Sequence, residues 1–194
     1  MSNIFQKLEF EAFRAGITPR SKESMNWFRQ KAQAMGRVNR NALMKEEPVE
    51  LKSRGIAGNM YMYFYDPKTK EKLPYYDSFP LTVVVGPAPG GFYGLNLHYL
   101  PATLRAKLLD ALMDIASNKK FDETTKFQVT YNTLKQTSSL KHFKPCYKHY
   151  LNSNVRSRFA YVPPPEWEIA TFLPTADFQK AGRSKVYKDS RSMI

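Results

Sequence analysis

Between Tyr131 and Pro164 the chain carries six cations and two histidines and not one carboxylate: Lys135, Lys141, His142, Lys144, Lys148, His149, Arg156 and Arg158. Phe143, Tyr147 and Tyr150 are interleaved with them. Cations neutralise phosphates and release their condensed counterions, and exposed aromatic rings stack on bases. This spacing suits DNA, RNA or an acidic protein without choosing among them; if the partner is DNA, Tyr147 and Tyr150 are the candidates to stack. The same run also reads as core aromatics beside cations that cover a solvated helix, and the sequence leaves both readings open. A second basic stripe, Lys22, Arg29 and Arg37, falls on one face of an N-terminal helix; Arg29 and Arg37 join the DNA-binding candidates, although amphipathic helices commonly turn cations to solvent.

Other chemistry finds little support. Gly86 to Gly91 bears glycines, but Pro87 and Pro89 remove amide donors from the loop that would need them, and neither phosphate-loop nor dinucleotide spacing is present. His98 lies in an apolar segment, where a lone histidine reads as a hydrogen-bonded core residue. His142 and His149 are seven apart with no carboxylate beside them, and metal-dependent hydrolysis needs converging Asp or Glu ligands. Asp66, Glu71 and Asp77 flank turns, where such residues cap. Cys146 is the only cysteine, which excludes an internal disulfide and a multi-cysteine metal site, and a lone cysteine reads as buried. No nucleophile, base and stabiliser assemble, so we expect no catalytic residue, metal, cofactor or small-molecule substrate.

The charge supports a polyanionic partner. Thirty Lys and Arg against seventeen Asp and Glu give +13 over 194 residues, with a sequence pI near 9.7. Residues 1–56 hold 11 basic and 6 acidic groups, whereas 57–100 hold 3 of each. The neutral centre therefore reads as scaffold, and the surplus sits at the N-terminal segment and after Tyr131. No run of about 18 apolar residues and no leader-like start is present, so a soluble, cytoplasmic protein without membrane contact is expected.

The elements that must position these groups read as an α+β fold. Ser2 and Ser21 are placed to cap two helices, the first turning Phe5, Leu8, Ala12 and Phe13 inward and ending at Gly16, the second carrying Met25, Phe28, Ala32 and Met35. Residues 37–58 read as a linker or extended arm. Met60 to Tyr65 fits a strand buried on both faces or lying against another subunit; Leu81 to Val85 and Phe92 to Leu100 follow as strands, with a bend or bulge at Gly94. These predict a small curved antiparallel sheet or SH3-like partial barrel over about residues 60–100. Pro101 opens a helix with Leu104, Leu108, Leu109, Leu112 and Ile115 inward and Arg105, Lys107, Asp110 and Asp114 outward. Further helices are predicted over about 123–135, 147–158 and 166–172, and the tail from Ala181 reads as a free or partner-docked arm. The organisation is thus a helical arm and linker (1–56), a barrel-like core with packed helices (57–174) and a basic tail (175–194).

Several blocks carry a family resemblance. They are Met60-Tyr61-Met62-Tyr63-Phe64-Tyr65-Asp66-Pro67-Lys68, Leu73-Pro74-Tyr75-Tyr76-Asp77-Ser78-Phe79-Pro80-Leu81, and Gly91-Phe92-Tyr93-Gly94-Leu95-Asn96-Leu97-His98-Tyr99-Leu100-Pro101. Phe143-Lys144-Pro145-Cys146-Tyr147-Lys148-His149-Tyr150-Leu151 and Phe172-Leu173-Pro174 continue the pattern. Over most of residues 55–180 the chain resembles the DNA end protectors of T4-type tailed bacteriophages. The resemblance implies a virion protein, present in host cytoplasm during assembly and after injection, that sits on the termini of the packaged genome and shields them from exonuclease. Its implied partners are double-stranded DNA and other virion proteins, and it transfers no catalytic residues. The rival expectation is a purely structural neck or baseplate subunit that holds its neighbours without touching DNA.

Overall fold

Met60, Tyr61, Met62 and Tyr63 are sealed from solvent because they run through the middle of a sheet. The computed structural model describes residues 4–46, 49–116, 132–133, 136 and 141–193. Its strands are β1 (Leu51–Lys52), β2 (Met60–Met62), β3 (Tyr76–Asp77), β4 (Leu81–Ala88), β5 (Gly91–Asn96), β6 (Tyr147–Leu151), β7 (Phe159–Val162) and β8 (Phe178–Gln179). Six of them form one open antiparallel sheet in the order β1-β7-β2-β4-β5-β6, and β3 pairs with β8 apart from it. The architecture is mixed α+β, as expected, with a partial rather than a closed barrel.

Alternation along each strand splits the sheet into two apolar faces. Met60, Met62, Leu81, Val83, Leu95, Ala160 and Val162 join the larger core, which the helices cover. Tyr61, Tyr63, Val84, Phe92, Tyr150 and Phe159 form a second, aromatic core on the other face. Phe92 on β5 and Phe159 on β7 are three strand spacings apart in order, about 14 Å if the sheet were flat. Their ring centroids lie 5.8 Å apart, so the sheet curls over the aromatic face. A register shift in β4 between Val84 and Gly86 supplies part of the bend. Gly94 faces it: a Cβ there would lie 2.2 Å from Thr82 Cγ2.

The helices are α1 (Ile4–Arg14), α2 (Lys22–Ala34), α3 (Arg40–Leu43), α4 (Ala102–Ala116), α5 (Trp167–Phe172) and α6 (Arg183–Ser192). Ser21 caps α2 in a reciprocal box, accepting from Ser24 N at 3.0 Å while Ser24 Oγ accepts from Ser21 N at 2.9 Å. The buried Glu168 carboxylate of α5 accepts from Arg20 N at 3.1 Å and from the Ser24 hydroxyl, which pins the start of α2 to the core.

Several expectations give way. Phe13 is 79% exposed rather than turned inward, because Phe5, Leu8 and Ala12 already complete the inner face of α1. Residues 37–58 are not a featureless linker: they contain α3 and the edge strand β1, which pairs with β7. Residues 147–158 form β6 and a 3-10 turn (Asn152–Asn154) instead of a helix. Leu97–Tyr99 is likewise a 3-10 turn, not the end of a strand. The tail forms α6, docked through Val186 and through the buried Ser190, whose hydroxyl donates to Tyr99 O at 2.7 Å. Ser2, most of the predicted 123–135 helix and the side chains of Asp114 and Ile115 lie outside the described residues.

Candidate nucleic-acid interface

β6 is an edge strand paired on one side with β5, and two glycines let it approach. Gly91 stands opposite Leu151, and a Cβ on it would lie 1.8 Å from Tyr150 O. Gly94 stands opposite Lys148. Along β6 the side chains alternate: Tyr147 and His149 pack on Tyr93, with ring centroids 5.3 Å away in each case, whereas Lys148 and Tyr150 turn to the curled face.

The candidate residues divide among several places. Lys144 is exposed, and His149 is exposed with Nε2 2.9 Å from Pro89 O. Lys148 is half-buried, its ammonium 4.1 Å above the Tyr99 ring, and burial pushes its pKa down. Arg156 donates to Ser153 O at 3.4 Å and lies 3.7 Å from the Asp66 carboxylate, so a carboxylate from elsewhere partly neutralises it. Arg158 donates to Leu51 O at 2.7 Å, which ties it to β1 at the other edge of the sheet. Arg29 lies on α2, and Arg37 is 3.3 Å from Asp177, which also holds Arg40 at 3.3 Å. The side chains of Lys141 and His142, and the whole of Lys135, lie outside the described residues.

The stacking candidates fare differently from each other. Tyr147 is half-buried, with one face on Tyr93 at an interplanar angle of 18°. Tyr150 is buried in the aromatic core, 4.8 Å from Tyr65 and 5.4 Å from Phe92, with its hydroxyl accepting from Asn96 Nδ2 at 3.1 Å. No ring face of Tyr150 is left for a base. A cleft of about 450 Å³ lies beside β6, lined by Tyr65, Tyr75, Tyr76, Tyr99, Lys68 and Lys148 among others. Tyr75 and Tyr76 are only half-buried. An aromatic wall with lysine at its edge can accept both a base and its phosphate.

A second cleft, of about 330 Å³, holds Arg29, Arg105, Arg183 and Tyr187 among its lining residues. Arg105 is 7% exposed, contrary to its expected outward position. The reason is spacing: Arg105, Leu108, Leu109 and Leu112 fall at i, i+3, i+4 and i+7, so the inner stripe of α4 includes the arginine. That signal was available in the sequence but was masked by the residue type. The Leu97–Tyr99 turn touches the lining of both clefts: His98 O accepts from Arg105, and Tyr99 lines the tyrosine cleft.

One array resembles a catalytic relay in connectivity. His98 Nδ1 is 2.7 Å from Asp77 Oδ2, and His98 Nε2 is 3.1 Å from Thr175 Oγ1. Asp77 also accepts from Asn96 Nδ2, Phe79 N and Asp177 N at 3.0 to 3.1 Å. All three members are buried, so the array ties β3, the Leu97–Tyr99 turn and the loop after α5 together without reaching solvent. Asp77 is thus a core carboxylate rather than a turn cap, and His98 is the hydrogen-bonded core histidine expected. Cys146 is buried too, its thiol donating to Phe143 O at 3.1 Å and pushed up to about 12 by burial, unsuited to nucleophilic attack. Among the described residues no cluster of three or more metal-ligating side chains occurs. No helix among them is long and apolar enough to cross a membrane.

A family model described as phage T4 terminal DNA protecting protein matches residues 5–192. No curated protein and no solved structure matches the chain.

Proposed function

The chain belongs to the phage T4 terminal DNA protecting protein family, and we propose that it protects by occupancy: the face around β6 grips the end of a linear phage duplex and keeps exonucleases from engaging it. The observation that carries this reading is Lys148. An ammonium drawn out of water beside Tyr99, with no carboxylate of the described residues within ion-pair distance, invites a phosphate at the mouth of a tyrosine-lined cleft. Terminal base pairs fray, and an unpaired base can stack on Tyr75 or Tyr76 while Lys144 and Lys148 hold the backbone. Blocking an end in this way requires a fitted body and cations, and no bond-breaking chemistry.

An exonuclease challenge tests it. The protein should slow digestion of a linear duplex, and a Lys144→Ala, Lys148→Met pair should abolish most of that protection while leaving the fold intact, because methionine is an uncharged side chain of similar length to set against the Tyr99 ring. Unchanged digestion by the wild-type protein at saturating concentration would sink the reading. A second role has its own support. Phe10 and Phe13 are 61% and 79% exposed on α1, a surface suited to a neighbouring protein of the particle. Replacing both by serine should lower the copy number in purified virions without altering DNA affinity.

A further inference from the structure

Arg105 is a buried cation with no ion-pair partner among the described residues. Nε donates to Leu100 O at 2.7 Å, Nη1 to Thr171 O at 3.1 Å, and Nη2 to His98 O at 3.2 Å and to the Tyr187 hydroxyl. A guanidinium has five N–H donors, so one on Nη1 has no acceptor among the described residues. All four acceptors are neutral. No carboxylate of the described residues forms an ion pair with Arg105, Arg29 or Arg183, although pairs are formed elsewhere by Arg37, Arg40 and Arg156. Asp177, the carboxylate next in sequence to the cleft-lining Ala176, is already engaged by Arg37, Arg40 and the Ser78 hydroxyl. Charges removed from water are normally paired, and an unpaired one is costly.

The surroundings point the same way. Arg105 shares its cleft with Arg29 from α2 and Arg183, the first residue of α6. No side chain caps that helix start, so its partial positive charge stands at the cleft rim. The three guanidiniums come from three separate elements, which only the folded chain brings together. Like charges gathered without a carboxylate repel unless an anion joins them.

We propose that this arginine cleft takes the terminal phosphate monoester of a DNA strand. A monoester carries nearly two charges and three free oxygens, which suits several guanidinium forks better than a diester does. Its position at the strand end also lets it enter a concavity, whereas internal diesters are flanked by chain on both sides. The inference rests on the end-binding reading above and deepens it: the cleft would be what distinguishes an end from the rest of the duplex.

The test uses the full chain and one blunt duplex in three forms, with 5′-phosphate, with 3′-phosphate or with hydroxyl ends only, read by fluorescence anisotropy. One phosphorylated form should bind about tenfold more tightly than the hydroxyl form, the scale of a lost charge-assisted contact. Which form wins assigns the strand polarity. Arg29→Gln with Arg183→Gln, both at the rim rather than in the core, should erase that preference, so that phosphorylated and hydroxyl ends bind this variant equally. Equal binding of all three forms by the wild-type protein overturns the phosphate cleft while leaving end binding in place. Preference that survives the double substitution overturns it as well. Absence of binding to every form removes the end-binding reading and this inference with it.

Discussion

Asp77, His98 and Thr175 form a polar knot whose titration has a definite sign. Burial holds His98 below the usual imidazole range, and the positive charges of Arg105 and Arg183 add to that; with Nδ1 donating to Asp77, the neutral ring accepts the Thr175 hydroxyl at Nε2. Burial by itself would raise Asp77, but His98 and three further hydrogen-bond donors outweigh it and the carboxyl stays below its ordinary value. Both groups are depressed in the folded chain, so both contributions are present at neutral pH and lost on acidification. His98 acts first, from about pH 6.5 downward, and Asp77 below about pH 3.9. Glu166 runs the other way. Burial, helped by the nearby Glu9, raises its carboxyl to about 7, so its stabilisation fades as pH rises through that value. Urea midpoints should therefore show Glu166→Gln more stable than wild type at pH 8 and no different at pH 4. A His98→Asn variant should be less stable at pH 7.5 yet lose less than wild type between pH 6.5 and 5; parallel curves would contradict the assignment. At the same scale, Glu168→Ala should cost about 2 kcal/mol in urea unfolding, because it strands the buried Ser24 hydroxyl and the Arg20 amide.

Edge strand β6 depends on an element with no side chain to offer. Gly91→Ala would drive a Cβ into the Tyr150 carbonyl at 1.8 Å, and backbone cannot move aside as a flexible side chain can. We expect about 3 kcal/mol of destabilisation and loss of DNA protection together, since β6 carries Lys148 and His149. Gly36→Ala meets nothing within 4 Å and should leave unfolding midpoint and protection unchanged. The elements also show what could be read in advance. Leu81 to Val85 and the Ser21-capped helix carried their own signals, a run of β-branched residues in one case and a cap with an apolar stripe in the other. Tyr147-Lys148-His149-Tyr150-Leu151 also alternates, yet the sequence reading predicts a helix over 147–158; pairing with the glycines of β5 decides it as a strand. Helix α6 was beyond reach of periodicity, because its buried side is little more than Val186 and Ser190, and a tertiary contact with Tyr99 O supplies the rest. Arg105 was hidden for a different reason: its position is that of a core residue, and only an enclosing set of carbonyls makes an arginine acceptable there.

The sequence carries a surplus charge of +13, and the cations of the described residues do not gather on one face. The described part of the acid-free run between Tyr131 and Pro164 is split by the fold: Lys148 is on β6 and Lys144 on the 3-10 turn (Lys141–Cys146) before it, Arg156 meets Asp66, and Arg158 is tied to β1 at the far edge. The Leu97–Tyr99 turn touches the lining of two clefts, one of tyrosines with Lys148 and one of arginines. An end-capping protein of this form should bind with log Kd linear in log salt, each phosphate contact contributing about 0.9 to the slope on duplex DNA. Lys144→Ala and Lys148→Met should each lower the slope by about 1. Arg158→Ala should leave it unaltered, because that guanidinium serves the β1 carbonyl. A closed circular duplex should show a weaker affinity and a shallower response to salt, since it offers backbone phosphates but nothing for either cleft. If Arg158→Ala changes the slope as much as the Lys144 and Lys148 substitutions do, the duplex lies across the sheet from edge to edge rather than at the clefts, and the geometry of end capping proposed here is wrong.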